Sequence, residues 1–275
     1  MKKIFIYASD TDNSVHVDKA LRRKLDDSAF RVISSIADEP DLIVIIGGDG
    51  TFLEAIHVLG FPKIPIIGIN TGHLGFFQEI MPEMLDDFIF NYMHGNYSLQ
   101  RMQSVRAVVE HDGTEEEFTG INEIVIASAA NYAYSAHFNI SIGGSFIERF
   151  SGDGLLISTP AGSTAYNYSL GGSIVDPRLR LLQATPIAPM NTTAYRSFTS
   201  SILLPPDLSL GIVPDSYGEK SAITVAYDGF SKLIEKADNI VVMHEGNVVE
   251  QGTHHELINA GGRYSNLHSL SEKSA

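Results

Sequence analysis

The chain has no cysteine among its 275 residues, which excludes disulfides, thiolate nucleophiles and cysteine-ligated zinc. Basic residues are scarce: 19 Lys and Arg stand against 33 Asp and Glu, a formal net charge of −14. That balance argues against sequence-independent binding to nucleic acid or to an anionic membrane. An anionic substrate would have to be met by local backbone donors, a helix N-terminus or a metal. Long hydrophobic runs are missing as well. Apolar runs such as residues 42–46 are strand-sized, far short of the roughly 20 residues a membrane helix needs. The opening MKKIFIYASDTDNS has a basic pair, but its apolar run is broken too soon for a signal peptide. A soluble, cytoplasmic protein is expected.

What is present is a globular composition, 44% hydrophobic, on a chain long enough for one large domain or two modest ones. The first third alternates strand and helix signals. Residues 3–7 form a short apolar run. Residues 14–26 carry helical spacing through Val15, Leu21 and Leu25, with Ser14 placed as a cap. Residues 42–46 are continuously apolar and mostly β-branched, the pattern of a strand buried on both faces. A helix is expected from Thr51, with Glu54 completing a capping box. Residues 64–69 read as another buried strand and 81–93 as a helix. This alternation predicts an α/β domain with a parallel sheet and helices on its faces. The texture changes near residue 95. Residues 106–110, 123–128 and 136–142 are short alternating runs, and 201–204 and 223–227 continue the pattern, predicting a β-rich second domain. The expected divisions are 1–97, 98–236 and a tail at 237–275.

The run 42–46 leads straight into Gly47-Gly48-Asp49-Gly50-Thr51. Glycines there let a phosphate approach the backbone, and free N–H groups at a helix start attract anions. The place is the carboxyl end of a parallel strand, where open α/β sheets bind ligands. An acid in such a loop suits chemistry more than binding: Asp49 could accept a hydroxyl proton or help hold a divalent cation. A tight glycine turn whose Asp caps the helix is an equal reading of this motif alone. No lysine follows the glycines, which disfavours a P-loop NTPase.

Three further segments are polar against apolar surroundings: GINTGHLGFF at 68–77, Asn122-Glu123, and SGDGLLISTPAGSTAY at 151–166, continuing to Asn167 and Ser169. The last sets the hydroxyls of Ser158, Thr159, Ser163 and Thr164, the acid Asp153 and the ring of Tyr166 among Gly and Pro turns, a surface able to hold a base and ribose. Each segment alone could be an ordinary loop, with Ser163 capping a short helix. Together they resemble the bacterial NAD kinase family, nearest to its Gram-positive type. The matching pieces are IIGGDGTFLEAIH (45–57), GINTGHLGFF, NE, ERFSGDGLLISTPAGSTAYNYSLGG (148–172), APMN (188–191) and YRSF (195–198), spread over roughly residues 1–229. GGDGT is shared with lipid kinases and phosphofructokinases; NE with GDGL and STPAGSTAY is the specific part.

The resemblance implies an NAD kinase/diacylglycerol kinase-like fold. It implies transfer of the γ-phosphoryl group of ATP, or of polyphosphate, to the 2′-hydroxyl of the adenosine ribose of NAD, giving NADP. Asp49 would be the general base, and Gly48, Gly50 and Thr51 the phosphate-facing loop. Asn122 and Glu123 would bind NAD. Asp153, Ser163, Thr164, Ala165, Tyr166, Ser169 and Ala188 would belong to the dinucleotide site, with His73 and Phe76 in the segment over the diphosphate bridge. A divalent cation, Mg²⁺, would enter with the triphosphate; no protein metal site is implied. A homo-oligomer, tetramer or dimer, is also implied.

The resemblance breaks in two places. Ser151 stands where close Gram-positive relatives tend to carry a basic residue. After Tyr227-Asp228-Gly229, residues 237–270 resemble instead the C-terminal end of an ABC-transporter ATPase domain, so the chain reads as chimeric with a join inside 230–236. No Walker A motif accompanies that tail. Residues 239–243 and 247–250 are expected to pair as a hairpin around Glu245-Gly246, followed by a helix capped by Thr253. Two other readings stay open: a lipid or sugar kinase built on the GGDGT fold, and a non-catalytic NAD-binding scaffold whose tail has cost it activity.

Overall fold

The computed structural model describes residues 1–26, 30–72, 75–129, 135–192, 196–215 and 222–243. The chain divides into two compact units, Met1–Gln100 and Arg101–Ala275. No helix among the described residues is long and apolar enough to cross a membrane.

The first unit is an α/β domain. Strands β1 (Lys2–Ala8), β2 (Phe30–Ile33), β3 (Leu42–Gly47), β4 (Ile66–Asn70) and β5 (Gln78–Ile80) form one parallel sheet in the order β2-β1-β3-β4-β5. Helices α1 (Asp12–Asp26), α2 (Asp49–Val58) and α3 (Leu85–His94) pack around it. β3 buries all six of its residues. Leu42, Val44 and Ile46 share a core with Val17, Leu21 and Leu25 of α1 and Leu85, Phe88 and Tyr92 of α3. Ile43 and Ile45 point to the opposite face and are fully buried there as well. β2 and β5 had no clear pattern in the sequence; both are short strands at the sheet edges.

Three local expectations are corrected. Ser14 does not cap α1; it lies inside the helix on the buried face, and Thr11 accepts from the Ser14 and Val15 amides. The capping box of Thr51 and Glu54 does not form, because α2 begins two residues earlier with Gly48 at its cap and Glu54 accepts from the Tyr7 hydroxyl instead. The helix expected over 81–93 splits into a single 3₁₀ turn, Pro82–Met84, and then α3. Pro82 supplies no N–H, so it suits the first turn of a helix but not its interior.

The second unit is β-rich. Among the described residues its strands are β6 (Val105–His111), β7 (Thr114–Gly120), β8 (Glu123–Ser128), β9 (Ala136–Ile142), β10 (Ser145–Gly152), β11 (Gly154–Ser158), β12 (Leu182–Ile187), β13 (Ile202–Leu204), β14 (Leu210–Pro214), β15 (Ile223–Tyr227), β16 (Phe230–Ile234) and β17 (Asn239–Met243), with one short α-helix, α4 (Tyr166–Ser169). They form two six-stranded sheets, β10-β9-β14-β17-β6-β7 and β13-β12-β11-β8-β15-β16, antiparallel at every pairing. Alternation places Val105, Ala107 and Val109 of β6 in the same core as Ile124 and Ile126 of β8 and Ile223 and Val225 of β15.

β17 changes the reading of the tail. All five of its residues are buried, and it lies between β6 and β14 with both edges paired. The expected hairpin with residues 247–250 is therefore corrected: neither edge of β17 is open to a local partner. Residues 244–275, including Thr253, lie outside the described residues. The polar stretch at 151–169 is corrected too, since its centre is β11, buried at every position between β8 and β12.

Candidate functional site

In the first unit the sheet order reverses between β1 and β3, the point where open α/β sheets form a crevice at their carboxyl ends. β3 ends there at Gly47 and α2 starts at Asp49. The Thr51 side chain lies over Gly47 so closely that a Cβ at 47 would sit 2.4 Å from Thr51 Oγ1. Gly48 and Gly50 have open space where a Cβ would stand. Asp49 is a clasp: Oδ2 accepts the Phe76 amide at 2.9 Å and Oδ1 the Phe77 amide at 3.1 Å. Gly75 makes this approach feasible, since a Cβ there would meet Asp49 Oδ1 at 2.4 Å. The Phe77 ring stacks on Phe52 of α2 at 4.9 Å, while Phe76 is 73% exposed. His73 lies outside the described residues. Beside the loop runs a chain of hydroxyls that the sequence did not single out. Ser9 and Thr11 reach Ser14 Oγ at 2.7 and 3.0 Å, and Ser14 meets Thr71 Oγ1 at 2.6 Å.

In the second unit Asn122 immediately precedes β8, Glu123 opens it, and Ser158 closes β11 directly opposite Glu123. The STPAG loop folds onto that end. Thr159 donates its amide to Asn122 O at 2.9 Å and its hydroxyl to Ile121 O at 2.6 Å. Ser158, Thr159 and Ser163 are completely buried. The Ser158 and Thr159 hydroxyls serve backbone carbonyls, and Ser163 Oγ donates toward Pro160 O and accepts from the Val175 amide. These three hydroxyls hold the loop together rather than forming the polar surface expected of them. Asn167 is likewise internal, bridging Ser163, Ser173 and Thr185. Thr164 and Ala165 are partly exposed, and Tyr166 and Ser169 project to solvent.

Two atoms at this end stand out: Asn122 Oδ1 and Glu123 Oε2 are buried and have no hydrogen-bond partner among the described residues. Native interiors rarely leave such acceptors unmet. Burial, together with the neighbouring Asp228 carboxylate, pushes the Glu123 carboxyl up to about 7. Asp153 and Ala188 belong elsewhere. They flank the other end of β11, where the Asp153 amide donates to Ile187 O at 2.9 Å. Ala188 is exposed there, with φ at +45°. Four residue steps of strand put that end about 13 Å from Glu123.

Residues 2–97 match the model of the ATP-NAD kinase N-terminal domain and residues 121–251 that of the ATP-NAD kinase C-terminal domain. An NAD kinase of Finegoldia magna is 34% identical over 243 residues, 87% of this chain and 88% of the relative. The chain belongs to the NAD kinase family. A second relative, an NAD kinase of Lactobacillus johnsonii, is 32% identical over 255 residues, 89% of this chain and 90% of its own. Two solved structures share the fold. The yeast NADH kinase complexed with NADH has a TM-score of 0.76 at 21% identity, covering 94% of this chain and 86% of that one. The NAD kinase of Archaeoglobus fulgidus in complex with ATP has a TM-score of 0.68 at 24% identity, covering 89% and 90%. The C-terminal family match runs past the expected join at 230–236 into the tail.

Within this NAD kinase family member, the described candidates of the first unit gather around the loop at the carboxyl end of β3, whereas those of the second split between the two ends of β11. Asp228 was not among the candidates, and its Asp-Gly pair marks only a turn: its carboxylate accepts from Ile121 and Asn122, more than 100 positions away. Ser151 is completely buried and meets His137 Nδ1 at 2.8 Å.

The raised Glu123 carboxyl has a measurable signature. Its folded value of about 7 lies above the ordinary 4.5. The stability that Glu123 contributes is therefore full below about pH 4.5 and is lost as pH rises through 7. Glu123→Gln, neutral throughout, should melt with the parent at pH 4.5 and several degrees above it at pH 8. Equal melting temperatures at both values would show that Glu123 ionises without cost.

Proposed function

We propose that the chain is an NAD kinase. It transfers the γ-phosphoryl group of magnesium-bound ATP, or of polyphosphate, to the 2′-hydroxyl of the adenosine ribose of NAD. The new bond joins that oxygen to phosphorus, the bond from that phosphorus to the bridging oxygen breaks, and ADP, or the polyphosphate shortened by one unit, leaves. Asp49 takes the hydroxyl proton. Both its oxygens already accept an amide, but each has a second lone pair. The amides at the start of α2, around Gly48, Gly50 and Thr51, face the phosphates. The divalent cation enters with the triphosphate.

The observation that carries this reading is the orphaned pair Asn122 Oδ1 and Glu123 Oε2, in a chain of this family. Each unmet buried acceptor costs about 1–3 kcal/mol, and the adjacent hydroxyls of a dinucleotide ribose are donors that would offset it. Tyr166, 46% exposed, is placed to pack on a ring. Base–aromatic stacking is worth about 1–3 kcal/mol, so Tyr166→Ala should raise KM for NAD by about tenfold or more with little change in kcat; an unchanged KM would remove Tyr166 from the site.

The test is NADP formation from NAD, ATP and Mg²⁺. Product supports the kinase. NAD binding without product would favour the scaffold reading, and phosphorylation of a lipid or sugar alone would favour the other GGDGT chemistry. The composition favours the cytoplasm as its place of action, and the resemblance implies a homo-oligomer, dimer or tetramer, which light scattering on the purified protein would report.

A further inference from the structure

The connection from β7 to β8 is two residues long, Ile121 and Asn122, and both are buried. Buried amides must find an acceptor. Here the acceptor is one side chain: Asp228 Oδ2 takes the Ile121 N–H at 2.6 Å, and Oδ1 takes those of Asn122 at 2.8 Å and Glu123 at 3.4 Å. Asp228 is itself only 8% exposed. It sits in the two-residue turn between β15 and β16, where Tyr227 pairs with Phe230. Asp228 and Gly229 have φ of +46° and +89°, the geometry that favours Asp-Gly in a tight hairpin.

The turn at 120–123 is held from its other sides as well. Thr159 fixes Ile121 O and Asn122 O. A Cβ at Gly120 would strike Glu123 O at 2.5 Å, and one at Gly162 would strike Asn122 O at 2.0 Å. With the backbone clamped throughout, the unmet groups are the side-chain oxygens Asn122 Oδ1 and Glu123 Oε2.

We propose that Asp228 is a positioning residue for NAD: its carboxylate gathers the amides of residues 121–123 and so sets where Asn122 and Glu123 present their side chains to the dinucleotide. This rests on the kinase reading above and adds to it a residue that touches no substrate.

Asp228→Asn and Asp228→Gly both suit a left-handed turn position. Asparagine restores one acceptor oxygen and glycine none. Affinity for NAD is read by calorimetry, which needs no turnover, and KM and kcat are measured beside it. The expected result is a Kd and KM for NAD raised about tenfold in Asp228→Asn and further in Asp228→Gly. KM for ATP should be unchanged and kcat should fall no more than a few-fold. In an Asn122→Ala, Glu123→Ala background, adding Asp228→Asn should have no further effect on NAD affinity, because the groups it positions are gone. A parental Kd in Asp228→Asn overturns the proposal. So does the same fold-loss in the doubly substituted background, which would make Asp228 a purely structural residue. If Asp228→Gly does not fold, the asparagine variant and its cycle decide alone. A parent that binds NAD but makes no NADP counts against the kinase reading only; a parent that binds no NAD overturns both.

Discussion

Asp49→Asn should lower NADP formation by about 10²–10⁴-fold, the usual contribution of a general base, while NAD affinity stays within a few-fold of the parent. Position and chemistry both favour this residue. It begins α2 at the carboxyl end of β3, where helix amides face an incoming phosphate. Phosphoryl transfer needs mainly positioning and charge neutralisation, plus a base near the accepting hydroxyl. Asparagine keeps the size and loses the base. It also turns an NH₂ toward the Phe76 or Phe77 amide, so one of two anchoring hydrogen bonds is lost. Steady-state assays with calorimetry on the same preparation separate turnover from binding. Parental turnover would remove Asp49 from the mechanism.

The second large effect concerns stability. A chain ending at Lys236 should fail to give a cooperatively melting second unit. It loses β17, which joins β6 to β14 in the middle of a six-stranded sheet. Ile240, Val241, Val242 and Met243 are all buried. At about 1.5–3 kcal/mol per large apolar side chain, their loss is on the order of 10 kcal/mol, comparable to the entire 5–15 kcal/mol that typically holds a domain together. Val242→Asp, a point change in the same strand, should act in the same direction by burying an unpaired charge. Thermal melts followed by circular dichroism decide it. A truncated chain that melts like the parent would show that the sheet closes without its tail strand.

How much of this was legible beforehand depended on whether the cause was local. β8, β9 and β15 were readable to the residue because each alternates between buried and half-buried positions over most of its length. The Asp49 loop was readable because a strand, three glycines and a helix follow one another in sequence. β17 was found as a strand, but its partners were not. An apolar run such as Ile240 to Met243 states that it needs two neighbours without stating which, and the pairings to β6 and β14 join distant segments. The hydroxyls of Ser158, Thr159 and Ser163 were read as ligand-facing because composition cannot distinguish a hydroxyl aimed at solvent from one that closes a buried turn. Asp228 was hidden for a related reason. Its turn chemistry was visible as Asp-Gly, but the amides it serves belong to another hairpin.

β11 carries one further consequence. Its five residues are paired on both edges, with β8 and with β12, and it bears the GDG turn at one end and the STPAG loop at the other. It is therefore a spacer of fixed length. A residue inserted anywhere in it could not be absorbed by either neighbour and would shift both ends against their partners at once. Length can vary in the exposed run around Asp176 and Arg178, but not here, and the two ends with the strand between them form a single part that would have to be moved into another scaffold whole.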